Sequence, residues 1–328
     1  MKRLSIYAII VLIGIGSTLA RAQQVNTLYF LENAPMRHII NPAFQPVSNV
    51  YITLPAIGYT SLWAGNNAFT MKDFIFTDAN GNTITPFHPN ANPNWLQRKP
   101  KNTLVDVDAY INLFGLGVRI KENGYFHLNI SEHIFASTSM GTNLFGINQL
   151  DSGMIGPFAL GANAMVYTDI ALGYSHKIND QWTVGGKFKF LVGQAYLGAG
   201  IDELSLATST EMLHAYGNGH IAVAAPLQWQ NLPTDINNLD ELNTEDLIST
   251  DYRNWLTPAG LGAAFDLGAT YKPHEMVQIT ASITDLGFIR WTNLAKGSLS
   301  MDTTFTGVDV NYSDHVYDGQ FQTDSLTS

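Results

Sequence analysis

The sequence predicts an all-β fold, an antiparallel transmembrane β-barrel, and three observations predict it. Only 13% of the 328 residues are charged, while the mean hydropathy is +0.01. Soluble domains carry about a quarter charged residues, and helical membrane proteins are far more apolar. Long runs alternate apolar with small or polar side chains, which sends one kind to each face of a strand. The clearest runs come in pairs joined by short polar turns, with much longer polar stretches between pairs, as the two ends of an outer-membrane barrel require.

Taken in order, the chain opens with a basic pair, Lys2 and Arg3, and an apolar run over residues 4–15. Ala20-Arg21-Ala22 follows as a small-x-small site, so residues 1–22 are expected to be a cleaved signal peptide. The run is short for an uncleaved anchor helix. Residues 23–46 carry Pro35, Pro42 and Pro46, which suit neither helix interior nor central strand. Two readings stay open for them, an extended periplasmic lead-in and a plug folded into the barrel lumen. Residues 47–328 form the expected barrel.

Within the barrel, Val50, Ile52 and Leu54 alternate with Tyr51 and Thr53, and Pro55 interrupts them. Residues 66–100 hold Asn80-Gly81 and four prolines, the marks of a long external loop with a small hairpin in it. Alternation returns with Val105, Val107 and Ala109 against Asp106, Asp108 and Tyr110. It continues past Arg119 into a tight turn at residues 121–124 and a strand bearing Phe126, Leu128 and Ile130. A weak strand is expected near residues 143–147. Val166, Thr168, Ile170, Leu172 and Tyr174 then oppose Asp169, Ala171 and Gly173. After Asn179-Asp180, Trp182, Val184, Phe188 and Phe190 oppose Lys187 and Lys189. Residues 201–260 are a second long loop, in which residues 204–213 and 220–225 are expected to extend strands above the membrane and residues 238–252 form an acidic helical stretch. The last clear hairpin alternates Phe265, Leu267 and Tyr271 with Asp266 and Lys272, turns at residues 272–275, and returns through Ile279 and Ile283. Asp285, Arg290 and Trp291 look like anchors at a strand end, and residues 297–310 are expected to hold a further strand pair. A complete barrel of this pattern has roughly 12–14 strands. Ser328 follows no strand with a terminal aromatic residue, so the barrel is expected to be incomplete at its C-terminus.

Composition narrows the chemistry. There is no cysteine, which excludes disulfides, thiolate metal sites and thiol nucleophiles. The net charge of −10 and the absence of a basic patch argue against nucleic acid. No phosphate loop, zinc-protease or serine-hydrolase motif is present. His127 and His133 lie too far apart on one strand to share a metal, about 20 Å. Ser131 lies near both and is the one residue on which a lipid-modifying activity would rest. Ser175 and His176 face opposite sides. The expectation is therefore no enzyme, no metal and no cofactor.

Three segments carry a resemblance: residues 26–33 leading to Asn41-Pro42-Ala43-Phe44-Gln45-Pro46, the strand over residues 265–272, and residues 283–291. They resemble an uncharacterised family of outer-membrane β-barrels of Bacteroidota, similar in turn to FadL-type barrels that move hydrophobic compounds. The resemblance implies an outer-membrane location and makes Asn41, Pro42 and Ala43 candidate plug residues. It implies no catalytic residue. Candidate lumen-lining residues, from strand parity, are Asp106, Asp108, Arg119, Asp169, Lys187, Lys189, Asp266 and Lys272. The expected function is a channel or transporter for small hydrophobic molecules. The alternative is a structural or secretion-associated barrel that presents its loops to a protein partner. Outer-membrane lipid is an expected partner in either case.

Overall fold

The computed structural model describes residues 26–306, apart from 32, 56–57, 74, 78–80, 82, 86–95, 143, 146–152, 209–211, 226–256, 275 and 293. The signal peptide, the acidic stretch at 238–252 and most of the weak strand near 143–147 lie outside the described residues. A short helix α1 (Asn26–Phe30) and a 3-10 turn (Pro35–Ile39) come first. The strands then run β1 (Val50–Thr53), β2 (Thr60–Asn66), β3 (Phe76–Thr77), β4 (Thr83–Ile84), β5 (Asn102–Ile120) and β6 (Gly124–Gly141). They continue with β7 (Gly153–Lys177), β8 (Trp182–Thr208), β9 (Met212–Ala224), β10 (Gly260–His274), β11 (Val277–Trp291) and β12 (Ala295–Thr306). β3 and β4 pair only with each other, as the Asn80-Gly81 signal predicts, and the other ten strands form one antiparallel sheet.

Several strands are pieces of one track. β1 and β2 lie along the same edge of β5, against residues 115–118 and 105–111 respectively. Pro55, which has no donor, falls in the gap between them. β8 is long enough to seat two partners end to end: residues 182–193 pair with β10, and residues 196–208 pair with β9. β11 then pairs with β10, and β12 with β9. The sheet is thus a meander in which β1/β2, β9/β10 and β11/β12 act as broken long strands. Of the strand pair expected over residues 297–310, the described residues, which end at Thr306, hold one strand, β12, paired with β9.

The turns follow local chemistry. In the β7–β8 turn, Asn179 Oδ1 accepts from the backbone N–H groups of Gln181 and Trp182, at 2.9 and 2.8 Å. β7 has 25 residues and β8 has 27. At about 3.3 Å per residue these strands reach about 80–90 Å, well over the length that crosses a bilayer.

The faces are apolar outside and polar inside. Phe265, Leu267 and Phe288 are 53%, 60% and 68% exposed on the outer face. Asp169, Lys187, Lys189 and Asp266 are buried on the inner one. Buried apolar clusters are small: Leu204, Leu206 and Ala215 form one, and Met36, Tyr51 and Tyr125 another.

Candidate functional site

The inner face converges on the N-terminal segment, residues 35–46. Prolines at both ends restrict its backbone, and Asn41 folds it locally by accepting from the Ala43 N–H at 2.8 Å. The other side of the same carboxamide donates to the carbonyls of Ala269 on β10 and Ala281 on β11, at 3.3 and 3.2 Å. Ser282 Oγ donates to the Ile40 carbonyl at 2.9 Å. At the far end, Arg119 on β5 donates to the Pro46 carbonyl at 2.5 Å and to Gln45 Oε1 at 3.2 Å. His38 stacks on His127 of β6 at 4.2 Å and shares a hydrogen bond with the Tyr51 hydroxyl of β1 at 2.8 Å. One short segment therefore touches β1 and β11, which stand at opposite ends of the strand order. The sheet curls around it. Asn41, Pro42, Ala43 and Phe44 are all buried.

Two facing glycines make room for this contact. Gly185 of β8 and Gly268 of β10 are cross-strand partners. A Cβ on Gly268 would overlap the Asn41 carboxamide, and one on Gly185 would overlap the Pro42 backbone. Only a bare strand lets another backbone approach so closely.

Beside the segment lies a charge network in which Lys187, Lys189 and Asp266 are buried and Asp285 is partly exposed. Lys189 Nζ sits 3.0 Å from Asp266 Oδ2 and 2.5 Å from Asp285 Oδ1, and Lys187 Nζ is 3.6 Å from Asp266. Asp285 reaches the inner face through a break in the β10–β11 register, where its own φ is +58°. Its backbone N–H donates to Asp266 Oδ1 at 2.8 Å. The strand-end anchor expected of Asp285 is therefore corrected: the irregularity turns its side chain from the outer face to the lysines. His133 contacts Asp169 at 3.1 Å and stacks on Tyr167 at 4.6 Å. The Ser131 hydroxyl is engaged by Tyr110 and Asn129, each at 2.6 Å. Asn129 accepts from Asn112 at 3.0 Å, and Asn112 accepts from Thr53 at 2.7 Å. These bonds carry a continuous polar path from β1 across β5 to β6.

Of the residues that parity places inside, Asp169, Lys187, Lys189 and Asp266 come together. Arg119 serves the N-terminal segment instead. Asp106 accepts from Ser137, and Asp108 is half-buried one strand away. Lys272 is exposed at the turn end, past the network. His38, Gly185 and Gly268 were not singled out by the sequence, and Asp285 was singled out only as a strand-end anchor. For the glycines the available signal was their inward parity, which Gly193 and Gly260, a second cross-strand pair on the same two strands, share. His38 is fully buried, and burial holds its pKa well below the ordinary 6.5, helped by His127, Lys187 and Lys189. Among the described residues, no group of three His, Asp or Glu side chains is set to hold a metal ion.

Comparison with known proteins finds no curated protein and no solved structure that matches the chain. A family profile, described as a family of unknown function (DUF5723), matches residues 42–327.

Proposed function

The chain belongs to this family of unknown function, DUF5723, and from that premise we propose that it is an outer-membrane β-barrel that passes small hydrophobic molecules, its N-terminal segment plugging the lumen. The exposed apolar face supports a lipid surround, since a contiguous patch of this size is costly in water. The height of the face supports it further. At the lower end, Trp182 and Tyr271 stack at 4.5 Å on the outer face. At the upper end, Glu132, Thr168 and Gln194 form a hydrogen-bonded polar cluster on that face, on the rung that pairs Glu132 with Thr168 and Thr168 with Val192. Ten residues of β8 separate the two levels, about 33 Å along the strand. At a tilt of about 40° that is about 25 Å, the usual height of a barrel's apolar band. Between them the outer side chains of β8 and β10 include Val184, Phe188, Phe190, Leu261, Phe265 and Leu267. The short β5–β6, β7–β8 and β10–β11 turns all lie at the lower end, as periplasmic turns do.

The observation that carries passage is the wall at the glycine pair. On its inner side sits Asn41-Pro42. On its outer side, over the bare Gly185-Gly186 backbone, lies an apolar groove of about 690 Å³ lined by Val184, Leu267, Ala269 and Ile283. A hydrophobic molecule in the membrane meets the N-terminal segment through one layer of backbone. The test is transfer of a fluorescent fatty acid into vesicles that hold the purified chain. Protein-dependent transfer is expected, with a leak to small hydrophilic dye when residues 35–46 are deleted. Gly268→Val should mimic the deletion, because overpacking of this kind costs about 1–3 kcal/mol against the seat. Transfer no faster than in protein-free vesicles, with a deletion that leaks no dye, would overturn the proposal.

A second reading rests on strand length. The sheet of β7, β8, β9 and β12 continues far above the band, and such an extension suits a protein partner. In-cell crosslinking that recovers one stable partner through this extension, together with absent fatty-acid transfer, would favour it.

A further inference from the structure

Above the apolar band, the inner face of β6, β7, β8 and β9 holds a hollow of about 290 Å³. Its floor is Gly161 and Gly198, and polar groups lean over it from several strands. Ser137 and Ser139 come from β6, Asn163 from β7, Tyr196 from β8 and His220 from β9. On one rung, Ser137 faces Asn163 and Asn163 faces Gly198. The Tyr196 hydroxyl lies over Gly198, where a Cβ would strike it. The ring of Tyr196 is backed by Trp291, stacked at 5.2 Å. His220 Nδ1 is held by Asp202 at 3.1 Å, which leaves Nε2 for another partner. Ser137 Oγ donates to Asp106 and keeps its lone pairs for a ligand.

We propose that this hollow binds a neutral polyhydroxylated ring, a single sugar unit. The lining excludes other classes by its chemistry. No lysine or arginine lines it, so nothing there balances an anion. Its walls mix hydroxyl, amide and imidazole groups with the small apolar Ala162, Ala199 and Ala222, and a pure hydrocarbon would leave the polar groups without partners at a cost. Hydroxyl and amide groups both donate and accept, which matches the hydroxyls of a sugar. The Tyr196 ring offers an apolar flank for ring C–H groups. Asn163 lies five residues along β7 from Thr168, so the hollow stands about 12 Å above the band, in water. That location rests on the membrane reading above; the ligand class rests on the lining alone. A free sugar and the sugar head of a glycolipid share this chemistry.

The test is calorimetric titration of the full chain, in a detergent without a sugar head, with methyl glucoside, methyl galactoside and N-acetylglucosamine. Vesicles carrying a monogalactosyl lipid form a second arm, and inorganic phosphate is the control. Saturable binding of at least one free sugar in the millimolar range is expected, or of the glycolipid vesicles alone if the source is a lipid head. Gly198→Val, which fills the floor, should weaken it tenfold or more, and Asn163→Ala several-fold. Both variants should keep the heat-dependent gel shift of a folded barrel, and a shift absent already from the unsubstituted chain indicts the barrel reading and not the hollow. No binding in either arm, tighter binding of phosphate, or wild-type affinity in Gly198→Val overturns the proposal.

Discussion

Asp266 is fully buried, with Lys187 and Lys189 on one side and the Asp285 N–H on the other. Removing one member of a buried ion pair leaves an uncompensated charge, which costs on the order of 3–5 kcal/mol. Asp266→Ala is therefore expected to lower the urea midpoint of the refolded protein strongly, or to abolish refolding. A midpoint equal to wild type would mean that water reaches the lysines and the network is not structural. At this scale the sequence was partly legible. Strand parity alone sends Asp169, Lys187, Lys189 and Asp266 inward. Parity fails for Asp285, because a register break with φ +58° reverses which face it serves, and no local pattern announces that break. Lys272 shares the parity of Asp266, yet it lies beyond the curled wall and stays in water.

The N-terminal segment is the element whose behaviour is easiest to change from outside. His38 is seated as a neutral ring, its pKa held below the ordinary 6.5 by burial, by His127 and by Lys187 and Lys189, with Tyr51 as its hydrogen-bond partner. An unseated His38 takes up a proton as the pH falls below 6.5, while the seated one does not. Seating is thus fully stable above that pH and weakens below it. Protection from hydrogen exchange over residues 35–46, taken relative to the intrinsic rate at each pH, should fall between pH 7.5 and pH 5, and His38→Gln should flatten that fall. An equal fall in His38→Gln would assign the effect to other groups. The prolines excluded helix and strand here, but they left the choice between lead-in and plug open. The bonds that seat the segment join residues 228 and 240 positions apart, Asn41 to Ala269 and to Ala281, and strand period carries no record of them.

The whole molecule shows its faces through labelling, and the chain has no cysteine of its own to interfere. In native membranes, Phe265→Cys and Phe288→Cys should resist a water-soluble maleimide, while Asn163→Cys and Ala222→Cys should react readily. Equal reactivity at all four positions would remove the lipid from the outer face. Alternation in the sequence was enough to give the sheet, its inward charges and the short turns. The broken tracks were hidden, because β9 and β10 have the same period and only the register shows that both lie along β8. That sharing gives the molecule a particular tolerance. β9 and β10 each take their alignment from β8, so neither needs the other to hold its register. A change in the length of chain between the two strands therefore leaves the wall without a slip, much as a splint holds both ends of a break, which makes that connection the natural port for grafting a foreign domain onto this protein.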